Sequence, residues 1–540
     1  MKKLIMLMLC IAMIFSVIGC GDLPINEETE EIDPNRTQLY VGCFDGALGR
    51  EWMKQLDSAF ETAYADWVNP DNGKVGIQVI PNYDKTGYED GSLNTDIANS
   101  QNAIYYLSSN DYDFIRVHFE DITDVVTTKI YDDNGDFATD ADSATQSIVD
   151  TMYPEWRDMH KVNENGTDKY YAIPNWMSTP GITYDADLFE ENGYEVPTTY
   201  NELIALMDQM ADVDNITPFT FASTTPYIFS PSFYAIQASY EGKNNFLLNS
   251  TLNGYDTGLE MQITKDNGYE LQGQMGKKAA IKFVHDLARK DAYTTANTRA
   301  GTLNNMTAQT EFVSSVTSTK INRVAMFIEN SYWEREAYAT FETMAIENAD
   351  YGWGKRNFKY MPFPSFEDVN GIRDQENTKT TVLGATFHSM CAINKYKDDT
   401  TKSMAKEFMK FAQSRKGLAL YVTYSSCLRA YKFTMTPEEI ALMTPYGRSL
   451  YELTQDANVE FVPYSPLLND VFRKQGLDWA YNWQFETNGT CVGVNNDAYA
   501  ITGRIIFQTF RANAACTVND YFEGCQNNFN ATEWAKMLAQ

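Results

Sequence analysis

From Lys169 to Tyr194 the chain reads KYYAIPNWMSTPGITYDADLFEENGY, and this stretch limits the fold more than any other. Tyr170 to Ile173 is an aromatic and β-branched run that favours a strand. Pro174 ends it, because proline fixes φ and has no N–H to give a ladder. Asn175-Trp176-Met177-Ser178 is polar and aromatic with no period. Ile182-Thr183-Tyr184 reads as a second strand, and Asp185 opens a short helix carrying Leu188 and Phe189 that stops at Asn192-Gly193. Two strands parted by a break with a polar-flanked tryptophan predict a chain passing between two packed units. Length agrees: 540 residues exceed what one core holds.

The first residues are an address rather than a fold. Lys2-Lys3 precedes an apolar run from Leu4 to Ile18, too short for a comfortable transmembrane span. It ends in Val17-Ile18-Gly19-Cys20, which resembles the bacterial lipoprotein box. That resemblance implies a signal peptide over 1–19, cleavage before Cys20 and a diacylglycerol on its sulfur, enough acyl chain for a stable anchor. Residues 20–37 carry Glu27, Glu28, Glu30, Glu31 and Asp33 with two prolines, the composition of a solvated tether. No later stretch is apolar for long enough to span a bilayer.

Loss of residues 1–19 moves the formal charge from −30 to −32, because that segment holds two lysines and no acid. Nucleic acid and anionic membrane surfaces are excluded as partners, since both need a basic footprint. Six cysteines remain: Cys43, Cys391, Cys427, Cys491, Cys516 and Cys525. None forms a CxxC pair and the chain has four histidines, so a zinc site is not expected. Cys516 and Cys525 are near enough in sequence to pair, and free buried thiols are an equal reading.

Further along, Gln38–Phe44 reads as a strand. The loop Asp45-Gly46-Ala47-Leu48-Gly49 leads into an amphipathic helix, with Trp52, Leu56, Ala59, Phe60, Ala63, Tyr64 and Trp67 at helical spacing. Gly76–Pro81 is the next strand. A βαβ unit follows, with ligands expected beyond the carboxyl ends of its strands. Asp132–Asp142 looks at first like a calcium loop but lacks glycine at its sixth position and glutamate at its twelfth, so it reads as a surface loop. Thr199-Tyr200-Asn201-Glu202 is a capping box before a helix that buries Leu203, Leu206, Met207 and Met210. Thr217–Tyr240 holds seven aromatics among small polar residues. Val324–Ile328 is a buried-type strand that runs into Glu329-Asn330-Ser331-Tyr332-Trp333-Glu334-Arg335. Thr401–Ala412 is a helix, and no repeat of solenoid length is present.

This order of elements resembles the extracellular solute-binding proteins of ABC importers, the large sugar-binding kind. The lipobox and tether, FDGALGREW, the stretch from Tyr171 through Leu203, and VAMFIENSYWE with FKYMPFPS and AINKYKDDTTKSMAKEFMKFAQS carry the likeness. One departure is the region before His388-Ser389-Met390-Cys391-Ala392, where the family has several glycines and this chain has only Gly384 nearby. The resemblance implies an α/β fold of the two-lobed periplasmic-binding-protein type (type II), each lobe a mixed sheet flanked by helices, with an interlobe ligand cleft that closes about a hinge. Lobe 1 is expected over 38–178 and 358–414 and lobe 2 over 179–357 and 415–540. Crossings fall near 174–182, 355–360 and 413–418.

A sugar offers apolar C–H faces and a rim of hydroxyls; aromatic planes suit the first, carboxylates and amides the second. Trp176, Tyr332, Trp333, Tyr227 and Tyr234 are therefore the candidate platforms, with Asp45, Asn175, Glu329 and Asn330 as polar partners and Arg429 a weaker one. Trp479 and Trp483, at helical spacing, read as core. Large aromatics are core residues by default, so each platform competes with that reading. The expectation is a monomeric, lipid-anchored protein on the extracytoplasmic face of the cell membrane. It takes up a carbohydrate, an oligosaccharide by the chain's length, and delivers it to the importer's membrane subunits. No cofactor, metal or catalysis is expected. A surface-anchored glycoside hydrolase is the rival, but no motif marks a carboxylate pair. A two-lobed binder for a peptide or cationic solute is a third reading.

Overall fold

A computed structural model describes residues 31–43, 46–83, 97–108, 112–224, 231–366, 379–384, 389–469, 471–472, 491 and 503–539. The strands that organise it are β1 (Thr37–Gly42), β2 (Ile77–Asn82), β3 (Ile104–Ser108), β4 (Ile173–Pro174), β5 (Gly181–Asp185), β6 (Thr217–Phe221), β7 (Val324–Glu329), β8 (Phe358–Met361), β9 (Thr380–Leu383), β10 (Ser389–Ile393) and β11 (Val459–Val462). They form a five-stranded sheet in the order β2-β1-β3-β10-β4, a four-stranded sheet in the order β8-β5-β7-β6, and a β9-β11 pair. Both larger sheets are mixed. β1 runs parallel to β2 and β3, and β10 is antiparallel to β3 and β4. β7 is parallel to β6 and antiparallel to β5, whose other edge takes β8 antiparallel.

The βαβ unit forms as its pattern dictates. Helix Glu51–Ala63 buries Trp52, Met53, Leu56 and Phe60, and Thr37 to Gly42 pair in register with Ile77 to Asn82. The helix stops at Ala63, so Tyr64 and Trp67 lie beyond it and pack only partly against the core. In the second sheet the capping box closes as expected: Thr199 accepts from Glu202 N while the Glu202 carboxylate accepts from Thr199 N. A layer of helices, Pro231–Thr251, Met275–Arg289, Gly503–Ala512 and Val518–Asn528, covers this sheet.

Proline breaks the chain where the sequence says it does. β4 belongs to the first sheet and β5, seven residues on, to the second. The segment 175–180 is therefore the first crossing. The other two lie elsewhere than expected. β8 pairs with β5, so Phe358–Met361 belongs to the second sheet and not to the 358–414 segment assigned to lobe 1. Pro362 and Pro364 end that strand, and the crossing comes after them. Helix Arg415–Ser425 still packs on helix Glu51–Ala63, with the Tyr421 and Trp52 rings 4.8 Å apart. The chain stays with the first lobe through Tyr431, bridged to Met152, and helix Pro437–Ala441, whose Glu439 pairs with Arg415 at 2.8 Å, so the third crossing follows Ala441, not 413–418. Helix Pro445–Gln455 has already reached the second sheet, where Ser449 Oγ accepts from Tyr360 N at 2.9 Å.

Three apolar clusters result among the described residues: a large one under the first sheet, one under the helical layer, and a small one around Tyr105, Leu107, Phe119 and Met390 on the other face of the first sheet. The first does not stop at the lobe boundary. It continues through Cys427, Tyr446 and Trp333 onto Phe327, Phe341 and Phe358, on the near face of the second sheet. Cys491 and Cys516 form a disulfide, S–S 2.06 Å, and Cys525 is a buried free thiol. The pairing of Cys516 with Cys525 fails for a geometric reason. Helix Val518–Asn528 carries Cys525 about two turns, roughly 10 Å, away from Cys516. Cys43, Cys391 and Cys427 are also free and buried.

Candidate functional site

Three segments meet where the chain first crosses: 175–180, the turn 329–336 after β7, and the loop 46–50 after β1. Backbone and side chains tie the first two together. Thr179 N donates to Ser331 Oγ at 3.1 Å, and Ser178 Oγ donates to Asn330 Oδ1 at 3.4 Å. The third is pressed against Arg335. Gly49 has φ +65°, and a Cβ there would sit 2.6 Å from Arg335 Nε, so glycine serves both the left-handed backbone and the close approach. The Arg335 guanidinium lies over the rings of Tyr338 and Trp353 at 4.9 and 5.3 Å.

Of the predicted residues, Asn175, Trp176, Glu329, Asn330 and Tyr332 are brought together. Trp176 is half-buried, its ring centroid 5.4 Å from that of Tyr332. Asn330 Nδ2 donates to the Tyr332 hydroxyl at 3.2 Å and to Glu329 Oε1 at 3.3 Å, and Asn330 N donates to the same oxygen at 2.8 Å. Glu329 is 2% exposed, and its Oε2 has no hydrogen-bond partner. Burial, reinforced by the charge of Glu336, holds its carboxyl well above the usual range. A protonated Glu329 is a donor as well as an acceptor. Asn175 is buried beside Pro174, whose carbonyl accepts from the Tyr431 hydroxyl at 2.8 Å.

The rest are placed differently. Trp333 is 0% exposed and sits in a cage of Phe312, Phe327, Phe358 and Tyr446, ring centroids 5.4 to 5.6 Å away. It is core, because a helix begins at this residue and turns its side chain under the second sheet. Tyr234 is likewise core, stacked on Tyr464 at 4.7 Å under the helical layer. Arg429 is 1% exposed within the first lobe. Asp45, Tyr227 and Cys20, with Trp479 and Trp483, lie outside the described residues.

Sequence reasoning missed Arg50, whose guanidinium lies 4.4 Å over the Tyr83 ring, and Glu334. Glu334 is 1% exposed and accepts from Thr444 Oγ1 at 2.7 Å and Ser426 Oγ at 3.3 Å. It joins the turn after β7 to Ser426, where helix Arg415–Ser425 ends, and to Thr444, where helix Pro445–Gln455 begins. Arg50 was legible as a cation in the glycine loop. Glu334 was not, since its partners are 92 and 110 residues away.

The 132–142 segment is a surface turn, with Asp132 Oδ1 accepting from Asn134 N and Asp136 N. Beside it a cavity of about 770 Å³ opens between Asp133–Asp136 and Lys432–Thr436. It includes none of the predicted ligand residues. Among the described residues no cluster of His, Cys, Asp and Glu is arranged to hold a metal, and no helix is long and apolar enough to cross a membrane.

Solved structures of similar fold include apo RafE from Streptococcus pneumoniae (TM-score 0.53, 12% identity, covering 93% of this chain and 100% of that one). Maltose-bound T. maritima MalE3 aligns with TM-score 0.51 at 15% identity over 91% of this chain and 99% of that one. The maltotriose-bound maltotriose-binding protein of Thermus thermophilus aligns at 0.50 and 13% identity over 92% and 99%. At such identities the likeness concerns the fold, a two-lobed type II arrangement. In sequence, 194 residues are 26% identical to the multiple sugar-binding protein of Streptococcus mutans serotype c, a match over 32% of this chain and 44% of that relative. The family model of the bacterial extracellular solute-binding proteins matches residues 53–419, and the chain belongs to that family.

Proposed function

We propose that the protein captures a carbohydrate, an oligosaccharide, between its two lobes and delivers it to the membrane subunits of an ABC importer. One observation carries the reading. Half-buried Trp176 stands at the crossing between the sheets against the buried ring of Tyr332, next to a carboxyl and an amide that hydrogen-bond to each other. An aromatic face beside a small set of buried polar groups matches the amphiphilic surface of a sugar. Family membership supports transport as the setting, and the similarity to a multiple sugar-binding protein and to folds solved with maltose or maltotriose bound supports the ligand class.

The protein acts as a monomer outside the cytoplasm, held to the membrane by lipid on Cys20. It binds without making or breaking bonds. Closure follows from contacts the ligand makes better in the closed state than in the open one. Thermal-shift measurements against a panel of oligosaccharides test the ligand class: a glycan that raises the melting temperature in a concentration-dependent way is expected. A panel on which no glycan acts, while a peptide or an amine does, overturns it. Catalytic turnover of labelled oligosaccharides by the purified protein would instead favour hydrolysis.

A further inference from the structure

Arg429 has no role at the crossing, yet it is the most costly residue in the first core to bury. A guanidinium keeps its charge in a protein interior, and an uncompensated buried charge is strongly unfavourable. Its acceptors are neutral: the amide of Gln413, Nη2 to Oε1 at 2.8 Å, and a contact with the Tyr431 hydroxyl, while Nε and Nη1 have no hydrogen-bond partner. The guanidinium lies 4.4 Å over the Tyr421 ring and 5.4 Å over that of Tyr431. Stacking of this kind offsets part of the cost but supplies no acceptor.

The groups around Arg429 are short of acceptors too. Trp52 Nε1, the Tyr421 hydroxyl and Gln413 Nε2 are buried and have no partner. The rings connect them: Tyr421 to Trp52 at 4.8 Å, and Trp52 to Tyr106 at 5.3 Å. Indole, amide N–H and guanidinium can only donate. Burial pushes the Tyr106 and Tyr421 hydroxyls well above their usual range, so both keep their protons, and the charge of Arg429 acts on each. Nearby sulfur supplies no negative charge. Burial pushes the Cys391 thiol up to about 12, against the pull of Arg429 and of a contact with the Tyr106 hydroxyl.

We propose that these donors form an internal site for a halide-sized monovalent anion, chloride in the native protein, held by Arg429 with Trp52, Tyr421 and Gln413. One such ion neutralises the guanidinium and accepts from several N–H and O–H groups at once; among the described residues the carboxylate whose charge reaches this cluster, Asp57, acts on Tyr106 and is not among the charges on Tyr421 or Tyr431. The site lies beside the crossing region, because Leu428, the residue before Arg429, is bridged to Met177 with Met177 N donating to Leu428 O at 2.8 Å. It is separate from the Trp176–Tyr332 pair and does not rest on the carbohydrate reading.

Thermal unfolding in sodium chloride against sodium gluconate, at equal ionic strength and without sugar, tests the site. The expected result is a saturable rise in Tm of about 2–4 °C with chloride. Arg429→Met abolishes the rise. Trp52→Phe keeps the ring, removes one donor, and raises the half-saturating chloride concentration about 3- to 10-fold. Crystals soaked in bromide should show an anomalous peak in contact with Arg429. Equal Tm in both salts, or water at that position with no bromide signal, overturns the proposal. If Arg429→Met does not fold, the Trp52→Phe titration and the bromide peak decide alone.

Discussion

Trp176 and Trp333 stood on equal terms as candidates, and they flank the same crossing. The structure separates them. Trp176 lies half-open against Tyr332, with Asn330 and Glu329 at hand. Trp333, one residue after Tyr332, is enclosed by Phe312, Phe327, Phe358 and Tyr446. Of these two neighbours, Tyr332, 6% exposed, meets half-open Trp176 in one row, while Trp333, 0% exposed, belongs to an enclosed row that holds the lobes together. A strand-to-helix turn splits its residues this way, because the helix points its first side chain back into the layer below.

The largest expected effect falls on the enclosed row. Trp333→Ala empties a cage of four aromatic rings and should cost about 3–5 kcal/mol, read as a lower denaturation midpoint. Ligand affinity of the protein that remains folded should change little. A variant that keeps its stability but loses ligand would erase the distinction.

Glu334, next on that row, predicts a pH dependence of similar size. Burial raises its carboxyl from 4.5 to about 7, with the Thr444 and Ser426 hydroxyls holding it partly down. The native state therefore keeps a proton that the unfolded chain releases between about pH 4.5 and 7. Stability contributed by this group falls as pH rises through that window and is level above it, a difference of about 3 kcal/mol. Glu334→Gln should remove that part of the slope in unfolding experiments run from pH 4.5 to 8. An unchanged slope would assign it to Glu329 or Glu336, whose carboxyls are also raised.

The open row should respond in binding rather than folding. Trp176→Ala is expected to weaken carbohydrate binding about 10- to 100-fold by titration calorimetry, with Tm nearly constant. Loss of the fold instead would make Trp176 a second core residue. Smallest is Tyr332→Phe, which keeps the ring and removes the acceptor of Asn330 Nδ2. A loss of about 1 kcal/mol in affinity is expected, and no loss would leave only the aromatic face in contact with sugar.

Legibility in the sequence follows the range of the forces involved. The βαβ unit, the Thr199–Glu202 cap and the break at Pro174 depend on residues a few positions apart, and each formed where its pattern lay. The half-buried place of Trp176 at the first crossing was legible because the break around it lacks any period. Trp333 and Tyr234 were misplaced because what covers them comes from far along the chain: Tyr446 in one case and Tyr464 in the other. The second crossing was set too early because β8 has the look of any edge strand, and only pairing with β5 decides its sheet. Arg429 read as a weaker polar partner for a ligand, since nothing local announces that Tyr421 and Tyr431 will enclose it.

Asp185 is buried at the end of β5 farthest from the crossing. One of its oxygens takes Arg323 Nη2 at 2.9 Å and Arg356 Nη2 at 2.5 Å, while the other accepts from Leu188 N. The two arginines stand just ahead of β7 and β8, so one carboxylate gathers three neighbouring strands and the helix that follows β5. Such a buried ionic knot contributes shape more than net stability. Its mechanical consequence is stiffness. A torque applied at residues 175–180 reaches strands riveted together at their remote end, so they swing as one plate instead of shearing past each other. The lever is rigid, and bending falls to the three crossings, the first of them the six residues between β4 and β5.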